Sequence, residues 1–173
     1  AVESLETTIA VAVEIKRVCD KLGLPFHFKA SYRKANRTRL DSFTGIGDRE
    51  ALEVLSRVKS DLDVGIVTDI HTPEEADMAA DVADVIQIPA FLCRQTDLLI
   101  AAAQTGRIVN VKKGQFMAPD SMKYVVDKIR ESGNDDVWLT ERGTMHGYGD
   151  LVVDMRGLET MRAFAPTFMD LTH

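Results

Sequence analysis

The chain has 173 residues, of which 45% are hydrophobic, and a formal net charge of -6 at pH 7. An acidic total argues against a nucleic-acid partner, which needs a basic face, and no apolar run reaches the ~18 residues that span a bilayer. The length fits one domain, and the two cysteines, Cys19 and Cys93, lie far apart and fit no metal spacing, so we expect buried free thiols in a cytoplasmic protein.

Helical and strand patterns alternate along the whole chain. Six short β runs are predicted, at 26–31, 64–68, 85–88, 108–111, 137–140 and 168–171. Helices are predicted at about 4–22, 48–60, from 72 onward, 95–104, from 119 to before 133, and 155–164. The long polar loop at 32–48 and a glycine-rich loop that runs to Asp150 complete the pattern.

Three helix starts carry capping signals. Ser4 is the predicted N-cap of the first helix, and Asp48 that of the second. Thr72, Pro73 and Glu75 combine a capping box with proline at the first helical position. Apolar residues at helical spacing mark one face of the first helix, at Val11, Ile15, Val18 and Leu22, and the buried side of the second, at Leu52, Leu55 and Val58.

This alternation predicts an α/β fold with a parallel sheet, either an open doubly wound sheet or a (β/α)8 TIM barrel. No Gly-x-Gly-x-x-Gly follows a strand, which weakens the dinucleotide-binding alternative. Polar residues stand at or near the end of each β run: Lys29, Asp69, Gln87, Lys112, Arg142 and His173. In a barrel these ends share one face, so we predict a single barrel domain over 1–173. A complete barrel needs eight strands and ~250 residues, so about six strands, the second to the seventh, would be present and the domain would be truncated at both ends.

Four cations, Lys29, Lys34, Lys112 and Arg142, would repel each other around one cavity unless an anion binds there. We therefore expect a substrate with several negative charges. His173 could be a base, a metal ligand or a satisfied core histidine, and for His71 and His146 the core interpretation is favoured.

The same residues lie in motifs that resemble the 3-deoxy-D-manno-octulosonate 8-phosphate synthase family. The motifs cover nearly the whole chain in order, and the main ones are Phe28-Lys29-Ala30-Ser31, Lys34-Ala35-Asn36-Arg37, Thr68-Asp69-Ile70-His71, Gln87-Ile88-Pro89-Ala90, Arg94-Gln95-Thr96-Asp97-Leu98, Asn110-Val111-Lys112-Lys113-Gly114-Gln115-Phe116, Glu141-Arg142-Gly143 and Asp170-Leu171-Thr172-His173. The family is a (β/α)8 barrel that condenses phosphoenolpyruvate with D-arabinose 5-phosphate and releases inorganic phosphate, for lipopolysaccharide sugar biosynthesis.

The resemblance implies a role for each site residue. Lys29 and Lys34 would hold the carboxylate end of phosphoenolpyruvate, and Lys112 and Arg142 its phosphate. The remaining substrate-side residues would be Ser31 and Gln87 near phosphoenolpyruvate, Asn36 and Arg37 at the sugar phosphate, Asp69 at the sugar hydroxyls, and Arg94 in a neighbouring subunit's site of a homotetramer. Ala90 is also among the substrate-binding residues that the resemblance implies. The catalytic set implied is Lys29, Lys34, Asn36, Asp69 and His173.

Two alternatives stay open. The related 3-deoxy-heptulosonate 7-phosphate synthases take erythrose 4-phosphate and read Lys-Pro-Arg-Thr where this chain reads Lys34-Ala35-Asn36-Arg37, which favours the five-carbon sugar. A chain with six barrel strands could also be a non-catalytic module that binds a phosphate ligand.

The resemblance also bears on metal. Ala1-Val2-Glu3-Ser4 and Lys112-Lys113-Gly114-Gln115-Phe116 are typical of the family's metal-dependent branch. It implies a divalent Zn, Fe or Mn ion with His173 as one ligand, and no organic cofactor.

Overall fold

The computed structural model describes residues 1–171, and within them it contains six α-helices, three short 3-10 turns and eight strands. The helices are α1 Leu5–Leu22, α2 Asp48–Leu62, α3 Ala76–Ala80, α4 Thr96–Gln104, α5 Met122–Glu131 and α6 Arg156–Arg162. The strands are β1 His27–Lys29, β2 Gly65–Asp69, β3 Val85–Ile88, β4 Ile108–Lys112, β5 Val137–Glu141, β6 Thr144–His146, β7 Asp150–Val152 and β8 Thr167–Met169. No helix in this range is long and apolar enough to cross a membrane.

The residues divide into two compact units. The first contains Ala1–Asp69 and Met78–Val85, and the second contains Ile70–Asp77 and the residues from Ile86 onward. In the first unit β1 and β2 pair in parallel, with Phe28 opposite Ile66. The core of this unit includes the predicted face of α2, because Leu52, Leu55 and Val58 are all buried.

Helix α1 begins and ends where the sequence predicts. The Ser4 Oγ accepts a hydrogen bond from the Thr7 backbone N–H at 3.2 Å, and Gly23 ends the helix in the left-handed conformation that glycine adopts without strain. The apolar row Val11, Ile15, Val18 and Leu22 is nevertheless exposed. The buried residues of α1 are Thr8 and Ala12, on the adjacent side of the helix. Their side chains are small, which allows the rest of the unit to pack close to the helix on this side.

Two other caps differ from the prediction. Gly47 is the N-cap of α2, and Asp48 is its first helical residue, where a carboxylate still favours the helix dipole. Thr72 makes no side-chain cap bond to the following turn. The Glu75 carboxylate instead accepts a hydrogen bond from the His71 N–H at 2.9 Å, so this capping box is wrong.

In the second unit β4, β5 and β8 pair in parallel, in that order. The strands bury Val109, Val111 and Leu139 against helices whose inner faces include Leu99 and Val126. The glycine-rich loop predicted after β5 contains an antiparallel hairpin, β6–β7, with Met145 opposite Leu151. Each strand of the hairpin has three exposed residues, too few for a clear alternating pattern.

Each of the six predicted β runs is present, although the boundaries of five of them move by one or two residues. Strands paired in parallel alternate with helices throughout, and the predicted α/β class, with about six strands of a (β/α)8 TIM barrel, is confirmed. In each unit polar residues follow the carboxyl ends of the strands, and they are the candidate site residues.

Candidate active site

The first unit holds a lysine at the carboxyl ends of its two strands. The Lys29 Nζ donates a hydrogen bond to the Ser31 Oγ at 2.8 Å and pairs with the Asp69 Oδ1 at 3.0 Å. Ser31 and Asp69 are buried, whereas 36% of the Lys29 side chain is exposed. The register of β1 and β2 brings these groups together, because both strands run in the same direction and end at the same edge. The ammonium is therefore fixed on one side and open to a ligand on the other.

The loop after β1 is anchored through Tyr32, which is fully buried. The Tyr32 N–H donates to the Thr68 Oγ1 at 3.4 Å, and the Lys34 N–H donates to the Thr44 carbonyl oxygen at 2.8 Å. Gly45 allows the two arms of the loop to touch, because a Cβ there would lie 2.8 Å from the Tyr32 carbonyl oxygen. These contacts fix the backbone from which the Lys34 side chain projects.

The outer part of this loop carries the predicted sugar-phosphate residues. Asn36 and Arg37 are both exposed, and the Arg37 Nε donates to the Phe43 carbonyl oxygen at 2.9 Å. A cavity of about 610 Å³ in this unit is lined by Lys29, Ser31 and Lys34 together with apolar side chains of α1. The structure thus brings three of the predicted polar residues to one cavity, with Asn36 and Arg37 further along the same loop.

The second unit has its cations at the ends of the neighbouring strands β4 and β5. The Lys112 Nζ pairs with the Asp170 Oδ2 at 2.5 Å, and both side chains are largely buried. Arg142 follows β5 directly, and its Nε is a buried donor that no acceptor within residues 1–171 contacts. Asp170 received no role from the sequence, although it follows a strand and lies in one of the family motifs.

Beside Lys112, Lys113 is fully buried. Its Nζ pairs with the Glu141 Oε1 at 3.3 Å. The Nζ also contacts four further oxygens within 3.3 Å, which are the carbonyl oxygens of Gly114, Met117 and Gly143 and the Thr144 Oγ1. The Glu141 Oε1 also accepts hydrogen bonds from the N–H groups of Arg142 at 2.9 Å and Gly143 at 2.6 Å. The sequence did not predict this pair, because it does not indicate which of two adjacent lysines after a strand is buried.

The other predicted substrate residues also lie in the second unit. Gln87 is buried on β3, and Ala90 is buried in a 3-10 turn, Ala90–Leu92. Arg94 is exposed and lines a cavity of about 460 Å³ with Phe116, Tyr124 and Lys128.

Gly114 packs closely against a buried thiol. A Cβ at this glycine would lie 3.0 Å from the Cys93 Sγ and 2.7 Å from the Phe116 ring. Burial raises the pKa of the Cys93 thiol above its usual value, since removal from water disfavours the thiolate. Cys93 is thus a buried free thiol, as predicted, whereas Cys19 is only partly buried.

The histidines offer no metal centre in the described part of the chain. His71 has a buried side chain whose Nδ1 lies 3.3 Å from the Glu75 Oε2, which agrees with the core interpretation. His146 is exposed on β6, so the core interpretation of that histidine is wrong. Across residues 1–171 no three His, Cys, Asp or Glu side chains form a group that could hold a metal ion. His173, the predicted ligand and catalytic residue, lies outside the described residues, so both roles stay predictions.

Cations at the carboxyl ends of parallel strands are the arrangement of α/β proteins that act on anionic substrates. The chain belongs to the DAHP synthetase I family, whose model matches residues 1–173.

Curated relatives named 2-dehydro-3-deoxyphosphooctonate aldolase are similar to it over 99% of its length. The protein from Koribacter versatilis is 56% identical and that from Trichlorobacter lovleyi 52%, and the chain covers 62% and 64% of them respectively. The Arabidopsis thaliana protein named 2-dehydro-3-deoxyphosphooctonate aldolase 1 is 53% identical, with 60% of its length covered. The chain therefore spans about three fifths of the length of the relatives it matches.

Proposed function

We propose that the complete protein condenses phosphoenolpyruvate with D-arabinose 5-phosphate and releases inorganic phosphate, in the synthesis of a lipopolysaccharide sugar. The family membership and the names of the relatives support this reaction. The observation that carries it is the Arg142 Nε, a buried donor with no acceptor among the described residues. An unsatisfied buried donor costs ~1–3 kcal/mol, and the phosphate of phosphoenolpyruvate would remove that cost by accepting its hydrogen bond.

Lys112 supplies the second positive charge for this phosphate. Residue 112 lies opposite residue 140 in the paired strands β4 and β5, so Lys112 and Arg142 follow neighbouring strands. Asp170 now neutralises Lys112 through a contact of 2.5 Å. A phosphate dianion would attract the same ammonium more strongly than one carboxylate does, so Asp170 holds Lys112 in place until substrate binds.

The first unit would hold the carboxylate end and the sugar. Lys29 and Lys34, with Ser31 close to the Lys29 ammonium at 2.8 Å, are suited to a carboxylate. We assign Asn36 and Arg37 to the sugar phosphate and Asp69 to the sugar hydroxyls from their positions in the family motifs. Gln87 and Ala90 complete the phosphoenolpyruvate side by the same argument.

The chemistry then needs positioning and charge stabilisation. The methylene carbon of phosphoenolpyruvate attacks the sugar aldehyde, and the aldehyde oxygen takes a proton. Water adds to the neighbouring carbon, the bond from that carbon to the phosphate oxygen breaks, and phosphate leaves while the water oxygen becomes the ketone oxygen. Of the two protons of that water, one balances the proton taken by the aldehyde oxygen and the other leaves with the phosphate. Lys112 and Arg142 would stabilise the charge of the departing phosphate, and holding two anionic substrates together would supply much of the rate.

We propose in addition that the complete protein binds a divalent Zn, Fe or Mn ion. When bound, such an ion would orient or polarise the aldehyde or the attacking water. We expect the complete enzyme to lose activity with a chelator and to regain it with Mn²⁺ or Zn²⁺. Full activity of a protein shown to be metal-free by elemental analysis would contradict this prediction.

The assembly and location are proposals of the same kind. Arg94, exposed and beside a cavity of about 460 Å³, would reach into a neighbouring subunit's site in a cytoplasmic homotetramer. The molar mass of the complete protein in solution tests the tetramer.

The reaction itself is tested by phosphate release from the complete protein with arabinose 5-phosphate and, in parallel, erythrose 4-phosphate. We expect a higher specificity constant with the five-carbon sugar. Preference for the four-carbon sugar would assign the protein to the heptulosonate branch, and tight phosphoenolpyruvate binding without turnover would make it a binding module.

A further inference from the structure

The buried Lys113–Glu141 pair is not used by the reaction above. Removing an ammonium and a carboxylate from water costs several kcal/mol per ion, which their mutual attraction repays only with additional hydrogen bonds. Apolar residues of similar volume would often fill the same space as stably. The Lys113 and Glu141 side chains are 0% and 3% exposed, so stability alone does not explain the pair. The contacts of the pair show which part of the structure it holds in place.

The pair joins the loop after β4 to the turn after β5. The Lys113 Nζ contacts the carbonyl oxygens of Gly114 and Met117 on its own loop, and the Gly143 carbonyl and Thr144 hydroxyl on the other segment. A backbone bond from the Met145 N–H to the Gln115 carbonyl oxygen, at 2.8 Å, joins the same two segments.

Arg142 lies at the centre of these contacts. The Glu141 carboxylate accepts from the N–H groups of Arg142 and Gly143, and Lys113 donates to the Gly143 carbonyl. Three consecutive peptide groups around the Arg142 Cα are thus bound to the pair. The turn also depends on Gly143, which has a φ of 97° and whose added Cβ would lie 3.3 Å from the Leu151 Cβ on β7.

We propose that the Lys113–Glu141 pair is a positioning device that sets the direction of the Arg142 guanidinium toward the phosphate of phosphoenolpyruvate. The inference rests on the proposed function, because it assigns the purpose of the pair through that substrate. Neither Lys113 nor Glu141 would touch the substrate, since both are buried among protein oxygens and backbone N–H groups.

The double variant Lys113→Met/Glu141→Gln of the complete protein tests the proposal. It removes both charges at nearly constant volume, and glutamine can still accept from the two backbone N–H groups. We expect the Kd for phosphoenolpyruvate, measured by calorimetry, to rise at least ~10-fold, and the KM for arabinose 5-phosphate at saturating phosphoenolpyruvate to stay within about twofold. An unchanged Kd in the folded variant, or an equal loss for both substrates, would overturn the proposal.

The matched control is Lys59→Met/Asp84→Asn, which removes a Lys–Asp pair of the first unit that is joined at 2.6 Å. It should leave the Kd for phosphoenolpyruvate unchanged. If the Lys113 double variant fails to fold, Thr144→Val removes only one oxygen from the ammonium and should raise that Kd about threefold, within the free energy of one hydrogen bond. A Kd equal to that of the unaltered protein would then count against the proposal.

A second measurement separates an effect through the Arg142 side chain from a general weakening of phosphoenolpyruvate binding. In an Arg142→Ala background the Lys113→Met/Glu141→Gln change should have no further effect on phosphoenolpyruvate binding, because it acts through Arg142. Independent effects would instead multiply, and such multiplication would refute the proposed route through the arginine.

A crystal structure of the double variant separates this inference from the proposed function. If the unaltered protein binds no phosphoenolpyruvate, the proposed function fails, and the position of the Arg142 guanidinium still decides the inference. A guanidinium displaced or distributed over several rotamers supports the positioning role. One that occupies the same place as in the unaltered protein overturns it.

Discussion

The lysine at the strand ends of the first unit and the buried lysine of the second make similar ion pairs in different surroundings. Lys29 meets Asp69 at 3.0 Å and keeps 36% of its side chain exposed, whereas Lys113 meets Glu141 at 3.3 Å with none exposed. Water and ligands can reach the Lys29 ammonium, whereas the Lys113 ammonium contacts protein oxygens alone among the residues described. The separation of the charged atoms therefore says little about function, and the solvent exposure of the cation says more.

The comparison predicts opposite consequences for the two cations. A partly exposed cation is available to bind an anion, and the loss of its ion pair costs less stability than the loss of a fully buried one. A cation that is fully buried with its partner cannot bind substrate, and its loss leaves a charge without compensation.

The largest effect is expected at Lys113. We predict that Lys113→Ala lowers the free energy of unfolding by ~3–5 kcal/mol, because Glu141 is left buried and unpaired. Urea unfolding of the complete protein measures this, with Lys59→Ala, whose lysine is 38% exposed, as the control with a smaller loss. A decrease in the free energy of unfolding smaller than that of the Lys59→Ala control would contradict the prediction.

Arg142 comes next, as the cation that follows the buried pair in the chain. Arg142→Lys should lower the specificity constant for phosphoenolpyruvate at least ~10-fold, equivalent to ~1.4 kcal/mol, because lysine lacks the planar fork that binds phosphate bidentately. Steady-state kinetics at saturating arabinose 5-phosphate measure it. An unchanged constant would make Arg142 a structural residue and would remove the reason for positioning it.

Lys29 provides the contrasting case. Lys29→Met should lower the free energy of unfolding by less than Lys113→Ala does, since 36% of the Lys29 side chain is exposed, although the change also removes one partner of the buried Asp69. The same variant should weaken phosphoenolpyruvate binding measured by calorimetry. A large loss of stability with binding intact would reverse the comparison between the two lysines.

The smallest effect concerns the two thiols. Burial raises the pKa of Cys93, so at pH 8 its thiolate fraction lies below that of an ordinary cysteine, and the thiolate is the form that reacts. The more accessible Cys19 should be alkylated by iodoacetamide first, and Cys93 only after unfolding. Peptide mass analysis after timed labelling measures the order, and faster labelling of Cys93 would mean that its site opens readily.

The sequence predicted the alternation of the six strands well, because continuous apolar runs and glycine stops are local signals. It did not predict the β6–β7 hairpin, whose strands have three residues each. The apolar row on α1 was read correctly as one face, but spacing alone cannot say whether a face is covered. The capping box at Thr72 was wrong because the Glu75 carboxylate binds the His71 N–H instead.

The candidate site also has features that the sequence predicted and features that it did not. The positions of Lys29, Lys112 and Arg142 at the ends of strands could be predicted from the β runs, whereas their roles toward a substrate stay predictions. Successive side chains of an extended segment point to opposite sides, so Lys112 and Lys113 have different surroundings. Which of the two is buried depends on Glu141 and on the oxygens of the following turn, and these contacts are formed only in the folded chain.

The close approach of Gly114 and Cys93 also has a consequence for how sequences of this family diverge. Both residues are buried, and a Cβ at position 114 would lie only 3.0 Å from the Cys93 sulfur, so the two positions share one volume. The exposed Phe116 ring can move aside, but the buried sulfur has little room to do so. We therefore expect covariation in an alignment: a larger residue at position 114 should accompany a smaller one at position 93, and independent variation would show that the backbone absorbs the difference.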